Sequence, residues 1–298
     1  MFRESPFTQI FTALACTILF CSCKAAPEWY SKDVTYPELP AEIFFNKDAG
    51  HGDSLFITVR SESGEDWMFG VDTGSPITTM DKSLESKLGK RLSTKQISFG
   101  WMGDYSVGVY QPPKIYIGKI PLVIGDNVES ADLSQFSKTH RMMGILAMDC
   151  LHHYCIQLDF ATHKIRFLNP DAHEANLGKA FPLKISRAGV TVRASFINTN
   201  EVKSGIDSAE YLDGSLKPDQ FQLALKEHSQ ALARQWTNES GNIFMVQFSS
   251  ASFAGETYTN VVVREHSNGE DTIGLHLLSR YLVTLNFPRQ TMYLQSRL

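Results

Sequence analysis

The chain has 298 residues, enough for one large domain or two modest ones, each with a real core. Hydrophobic residues make up 43% and charged residues 20%, an ordinary globular balance, and the formal net charge is −4. No basic field or stripe offers itself to nucleic acid, so the expected partner is a peptide or a small molecule.

Residues 1–22 hold one arginine and then an apolar run, FTQIFTALACTILFCS, of signal-peptide length. The run is too short and too interrupted for a confident membrane span. It ends Leu19-Phe20-Cys21-Ser22-Cys23, which resembles a bacterial lipobox with Cys23 as the lipidated residue. An uncleaved anchor and plain secretion are the alternatives. The expected location is therefore outside the cytoplasmic membrane, periplasmic or cell-surface, with a tether through the N-terminus. Residues 23–40 contain three prolines and no apolar periodicity, and read as a linker.

From Ile43 onward the chain is β-rich. Runs at 54–59, 113–124 and 156–160 place β-branched and aromatic residues at alternate positions, broken by Gly, Asp, Asn or Pro. Helical patterning is scarce: a short helix is expected at 81–89, and the best case is 218–234, which starts on Pro218 and carries apolar residues at helical spacing. Cys150 and Cys155, the only cysteines of the body, are either a short-loop disulfide or, more plainly, two buried thiols. No structural metal is expected from the His and Cys spacing, and no cofactor.

An internal repeat organises the body. AMDCLHHYCIQLDFATHKIRF (147–167) aligns without a gap on GLHLLSRYLVTLNFPRQTMYL (274–294), with Leu151/Leu278, Tyr154/Tyr281, Leu158/Leu285 and Phe160/Phe287 identical. Upstream, Gly70-Val71-Asp72-Thr73-Gly74 matches Gly205-Ile206-Asp207-Ser208-Ala209. The body is thus expected to be two copies of one β-rich unit, 41–170 and 171–298.

Each copy carries an apolar residue, an aspartate, a hydroxyl residue and a tiny residue. That pattern suits a strand ending in a tight turn, with the carboxylate left at the turn and the hydroxyl free to bond across. Two such turns back to back bring two carboxylates together. Like charges that close cannot both ionise, so the pair shares a proton and supplies an acid and a base at once. A lone Asp-Thr-Gly also makes ordinary turns; the second aspartate in the equivalent place is what turn chemistry does not account for.

Phe69–Ser75, FGVDTGS, resembles the active-site strand and turn of pepsin-like and retropepsin-like aspartic peptidases. Ile145-Leu146-Ala147 and Thr272-Ile273-Gly274 fall where that family has a hydrophobic-hydrophobic-Gly strand beneath the catalytic turn, and the repeated tail is similar to its closing strands. The resemblance implies an all-β, two-lobed acid-protease-like fold with few short helices. It implies an endopeptidase acting on peptide or unfolded protein without a metal: the catalytic pair is Asp72 and Asp207, braced by Thr73, Gly74, Ser208 and Ala209. A β-hairpin flap at 97–105 is expected to bring Trp101 or Tyr105 over substrate; a plain exposed hairpin is the alternative. A monomer is expected, since the second lobe makes pairing of Asp72 with Asp72 of another chain unnecessary.

Four departures from the family pattern stand out. Ala209 replaces a glycine, at a cost of about 1 kcal/mol or more if its φ is positive. Ala147 replaces another, so each copy holds one alanine and one glycine at these two positions, expected to face each other. Matching Met80–Leu84 to Leu212–Leu216 places a three-residue deletion after Asp207 and makes Asp213 a rival second carboxylate. Glu210 stands where the family has a small residue, either raising the pair's proton affinity or pointing to solvent. These departures favour one alternative, a catalytically silent peptide-binding lipoprotein on the same fold. A pair of immunoglobulin-like sandwiches is a second. His152, His153 and His163 read as surface or strand-edge histidines, and no Gly-x-Ser-x-Gly elbow makes Ser75, Ser83 or Ser215 a nucleophile.

Overall fold

A computed structural model describes residues 39–99, 103–134, 136, 140–171, 176–186, 189–197, 201–227, 232–238, 241–266 and 270–297. The leader, Cys23 and nearly all of the linker lie outside the described residues. No described helix is long and apolar enough to cross a membrane.

The protein is all-β, with four short helices among the described residues. The strands form two sheets, of nine and thirteen strands among the described residues. Alternation builds them: in Phe56–Ser61, Ile57 and Val59 are buried while Thr58 and Arg60 face out. The nine-stranded sheet is drawn wholly from the first copy. The larger one starts with three strands of the first copy, crosses to the second between Cys155–Asp159 and Tyr281–Asn286, and ends on the hairpin Leu232–Asn238 and Gly241–Phe253.

The crossing explains the repeat. Cys155–Asp159 runs antiparallel to Tyr281–Asn286 with Gln157 opposite Thr284, flanked by Ile156 opposite Leu285 and Leu158 opposite Val283. Gln157 and Thr284 are also equivalent in the repeat, so a twofold axis passes between them. The Gln157 amide donates to Thr284 Oγ1 across it at 3.2 Å. The repeated tyrosines, leucines and phenylalanines fill one continuous core reaching across both copies. Separate immunoglobulin-like sandwiches therefore do not form.

Local expectations need three corrections. The 218–234 helix covers only Pro218–Glu227, and Leu232–Asn238 is a strand. Its seven-residue ladder against Gly241–Phe253 overrides a weak helical preference. The expected helix at 81–89 is a 3-10 helix, Lys82–Lys87, capped by the Asp81 carboxylate, which accepts from Ser83 N at 3.0 Å. His152 and His153 are buried with their rings tilted against each other, centroids 3.7 Å apart, because they follow the buried helix Met148–Leu151. Cys150 and Cys155 are both buried and form no disulfide.

Candidate active site

Both aspartates leave the sheet from equivalent places. Asp66–Val71 lies between Phe56–Ser61, antiparallel, and Gly144–Leu146, parallel. Glu201–Asp207 lies between Gly189–Ser195, antiparallel, and Thr272–Gly274, parallel. The Ile145-Leu146-Ala147 and Thr272-Ile273-Gly274 segments thus sit beside the aspartate strands in both copies. Each continues into a one-turn helix whose first N–H holds the turn: Met148 N donates to Ser75 O at 2.9 Å, and Leu275 N to Glu210 O at 2.7 Å.

The two turns lock into each other through Thr73 and Ser208, 135 residues apart. Thr73 Oγ1 donates to Ile206 O at 2.7 Å and accepts from Ser208 N at 3.1 Å. Ser208 Oγ donates to Val71 O at 2.7 Å and accepts from Thr73 N at 3.1 Å. Neither hydroxyl bonds the other; each satisfies a buried N–H and a buried C=O of the opposite copy.

The carboxylates of Asp72 and Asp207 are 3% and 7% exposed and face a common point. A methyl placed on Gly74 would lie 3.1 Å from Asp72 Oδ1 and 3.6 Å from Asp207 Oδ1. Gly74 N donates to Asp72 Oδ1 at 2.8 Å; Ala209 N and Glu210 N donate to Asp207 Oδ1 at 2.9 and 3.1 Å. Proton affinity is raised at both sites. Burial is the main cause at Asp72, opposed by Gly74 N–H and by the hydroxyl and N–H of Ser75. At Asp207 burial again leads, followed by the negative charges of Asp72 and Glu210, and opposed by Ala209 N–H and the Arg264 cation. Such a pair holds one proton between two groups, which gives an acid and a base side by side.

The departures resolve as follows. Ala209 is not among the residues with positive φ, so its methyl strains no backbone. Gly274 is needed for a reason unrelated to Ala209: a Cβ there would meet Leu212 O at 2.2 Å and Glu210 Cγ at 2.9 Å. The loop after Asp207 is not shortened. Thr79 pairs with Ile145 and Ser215 with Thr272, so Ser215, not Tyr211, is the mate of Thr79, and the second loop is one residue longer. Asp149 N bonds Pro76 O and His276 N bonds Leu212 O, which makes Tyr211 the extra residue. The false match arose because Met-Asp-Lys-Ser-Leu and Leu-Asp-Gly-Ser-Leu look alike although the strands are out of step. Asp213 is no rival carboxylate: it accepts from Val262 N at 2.7 Å and pairs with Arg280 and His276, each at 3.0 Å. Glu210 does not face solvent. It is buried and accepts from Arg264 Nε at 2.6 Å.

The expected flap is a hairpin, Arg91–Phe99 with Gly103–Tyr110, closed by Phe99 opposite Gly103. Trp101 lies outside the described residues. Tyr105 pairs through its backbone with Ile97, and its side chain lies outside the described set. The second copy has an equivalent hairpin, Leu232–Asn238 with Gly241–Phe253, which the sequence reading missed by extending a helix through it. Asn238 and Gly241 bracket its tip and were the available turn signal. Arg264 was missed too; its only signal was a charge closing the apolar run Val261-Val262-Val263.

A scan of the sequence against protein-family models finds no match, and a search of curated proteins finds none either.

Proposed function

We propose that the protein is an aspartic-type endopeptidase that hydrolyses peptide bonds with a water activated between Asp72 and Asp207. The observation that carries this reading is the reciprocal Thr73–Ser208 brace, which holds two buried carboxylates of raised proton affinity against one point. One carboxylate accepts a proton from water as the water oxygen bonds to the scissile carbonyl carbon. The other gives its proton to the carbonyl oxygen, forming a neutral gem-diol. The first then protonates the amide nitrogen as the C–N bond breaks, and a diol hydroxyl returns a proton to the second. Products are a carboxylic acid and an amine, and the pair regains its starting protonation. No metal or covalent intermediate is called for.

The substrate reading is an extended segment with apolar side chains beside the scissile bond, taken from peptide or unfolded protein, by a monomer tethered outside the membrane through Cys23. Asp72→Asn and Asp207→Asn should each keep an unaltered circular dichroism spectrum. Each should lower cleavage of a quenched-fluorescent apolar peptide by about 10³-fold or more. A pepstatin-type inhibitor should block the parent chain. Full-rate cleavage by either variant would contradict the assignment.

A further inference from the structure

The two aspartates have different neighbours at the position three residues on: Ser75 in the first copy, Glu210 in the second. We propose that Glu210, held in place by Arg264, is a positioning residue that makes Asp207 the proton-carrying partner of the pair and leaves Asp72 as its base. This rests on the hydrolytic reading above and adds a direction to it.

The geometry is one-sided. Glu210 N reaches Asp207 Oδ1 at 3.1 Å, so the Glu210 side chain departs from a backbone already docked on that carboxylate. The side chain then turns to Arg264, with Nε to Oε2 at 2.6 Å and side-chain exposures of 2% for Arg264 and 1% for Glu210. Guanidinium does not lose its proton in proteins, so Glu210 is supplied with a permanent counter-charge. Arg264 Nη1 and Nη2 are buried and have no hydrogen-bond partner, so Glu210 holds the guanidinium through Nε.

The first copy has no such device. The repeat mate of Arg264 is Glu129, set opposite Thr79 as Arg264 is set opposite Ser215, and it pairs with Lys95 of the flap hairpin at 2.8 Å. The mate of Glu210 is neutral, and the Ser75 hydroxyl favours the charged form of Asp72. A proton placed on Asp207 relieves repulsion from both Asp72 and Glu210. A proton placed on Asp72 relieves repulsion from Asp207 only.

Other charges around this corner are accounted for. The loop contributes Tyr211, half-buried, and Asp213, which is committed to Arg280 and His276. Strand Glu256–Glu265 contributes Arg264, and His266 just beyond it is buried, with its pKa lowered to about 4 by burial and then by the Arg264 charge; strands Gly214–Leu216 and Thr272–Gly274 contribute no charged residue. Helix Leu275–Leu278 contributes only His276.

The test uses the full-length chain and two readouts. In Glu210→Gln the alkaline limb of the kcat/KM profile on the apolar peptide should move down by about one pH unit, a roughly tenfold loss on that side, with the acid limb nearly in place. A purely structural role would lower the whole profile without moving the limb. The second readout needs no turnover: infrared titration of the buried carboxylic C=O band, in an Asp149→Asn background because buried Asp149 also holds its proton high. The band of Asp72→Asn, which reports Asp207, should titrate at higher pH than the band of Asp207→Asn. Adding Glu210→Gln should lower the first midpoint by about one unit. Should Glu210→Gln not fold, Glu210→Gln/Arg264→Met removes both buried charges and should shift the midpoint the same way, since Glu210 acts on Asp207 more strongly than Arg264 does. Reversed midpoints, or an unmoved midpoint in both variants, overturn the proposal. A parent chain that cleaves nothing overturns the hydrolytic reading instead, and the infrared order still decides the proton's place.

Discussion

Thr73→Val removes one hydroxyl and almost no volume, and it strikes the joint between the two copies. Thr73 Oγ1 serves Ile206 O at 2.7 Å and Ser208 N at 3.1 Å, both in the opposite copy and both buried. An orphaned buried group costs about 1–3 kcal/mol, so the expected loss is about 3 kcal/mol. Ser208→Ala strands Val71 O and Thr73 N and should cost a similar amount. The double variant should lose less than the sum, by about 1 kcal/mol or more, because turns parted by the first change have less left to lose. Urea unfolding of the full chain, followed by fluorescence and circular dichroism together, measures this. Thr58→Val, on an exposed position of a strand, is the control and should stay within about 0.5 kcal/mol. A Thr73→Val cost below about 1 kcal/mol, or strict additivity in the double variant, would refute the reasoning that the hydroxyls clamp one turn to the other.

Gly274→Ala should destabilise by more than about 3 kcal/mol, since its methyl would sit 2.2 Å from the Leu212 carbonyl oxygen; thermal melts check it. Ala209→Gly should relieve nothing and cost up to about 1 kcal/mol, because Ala209 occupies no strained φ; a gain in stability would contradict this. Asp149 predicts a pH dependence. Burial lifts its proton affinity to a pKa of about 7, above the ordinary unfolded value of about 3.9. The folded state therefore binds a proton that the unfolded state has released between those values, so this group's stabilisation is whole below about pH 4 and fades as pH rises through 7. Asp149→Asn should flatten the fall in melting temperature between pH 5 and pH 8; an unchanged slope would place the titration elsewhere.

What the sequence made legible was set by period and by repetition. Alternating apolar residues announced the strands, and two short motifs in matching places announced the meeting of Asp72 with Asp207. The 274–294 tail could be read because its core residues repeat those of 147–167 one for one. The loop after Asp207 was misread because a chance likeness of five residues outweighed pairing, and pairing is invisible in one chain. The Leu232–Asn238 strand was misread because a strand at a sheet edge takes its conformation from its neighbour rather than from its own residues. Arg264 and Glu210 lie 54 residues apart, and nothing local signals that their charges meet.

A seam that maps onto itself also limits how the two halves drift apart. Where Gln157 faces Thr284, each copy meets its own counterpart, so one altered side chain there is answered directly by its twin. Away from that line the halves have no such mirror, and they have used the liberty: one wall carries Ser75 and Glu129, the other Glu210 and Arg264. A molecule assembled from two identical halves would present two interchangeable carboxylates. Unequal walls around an equal centre let this one tell its left side from its right.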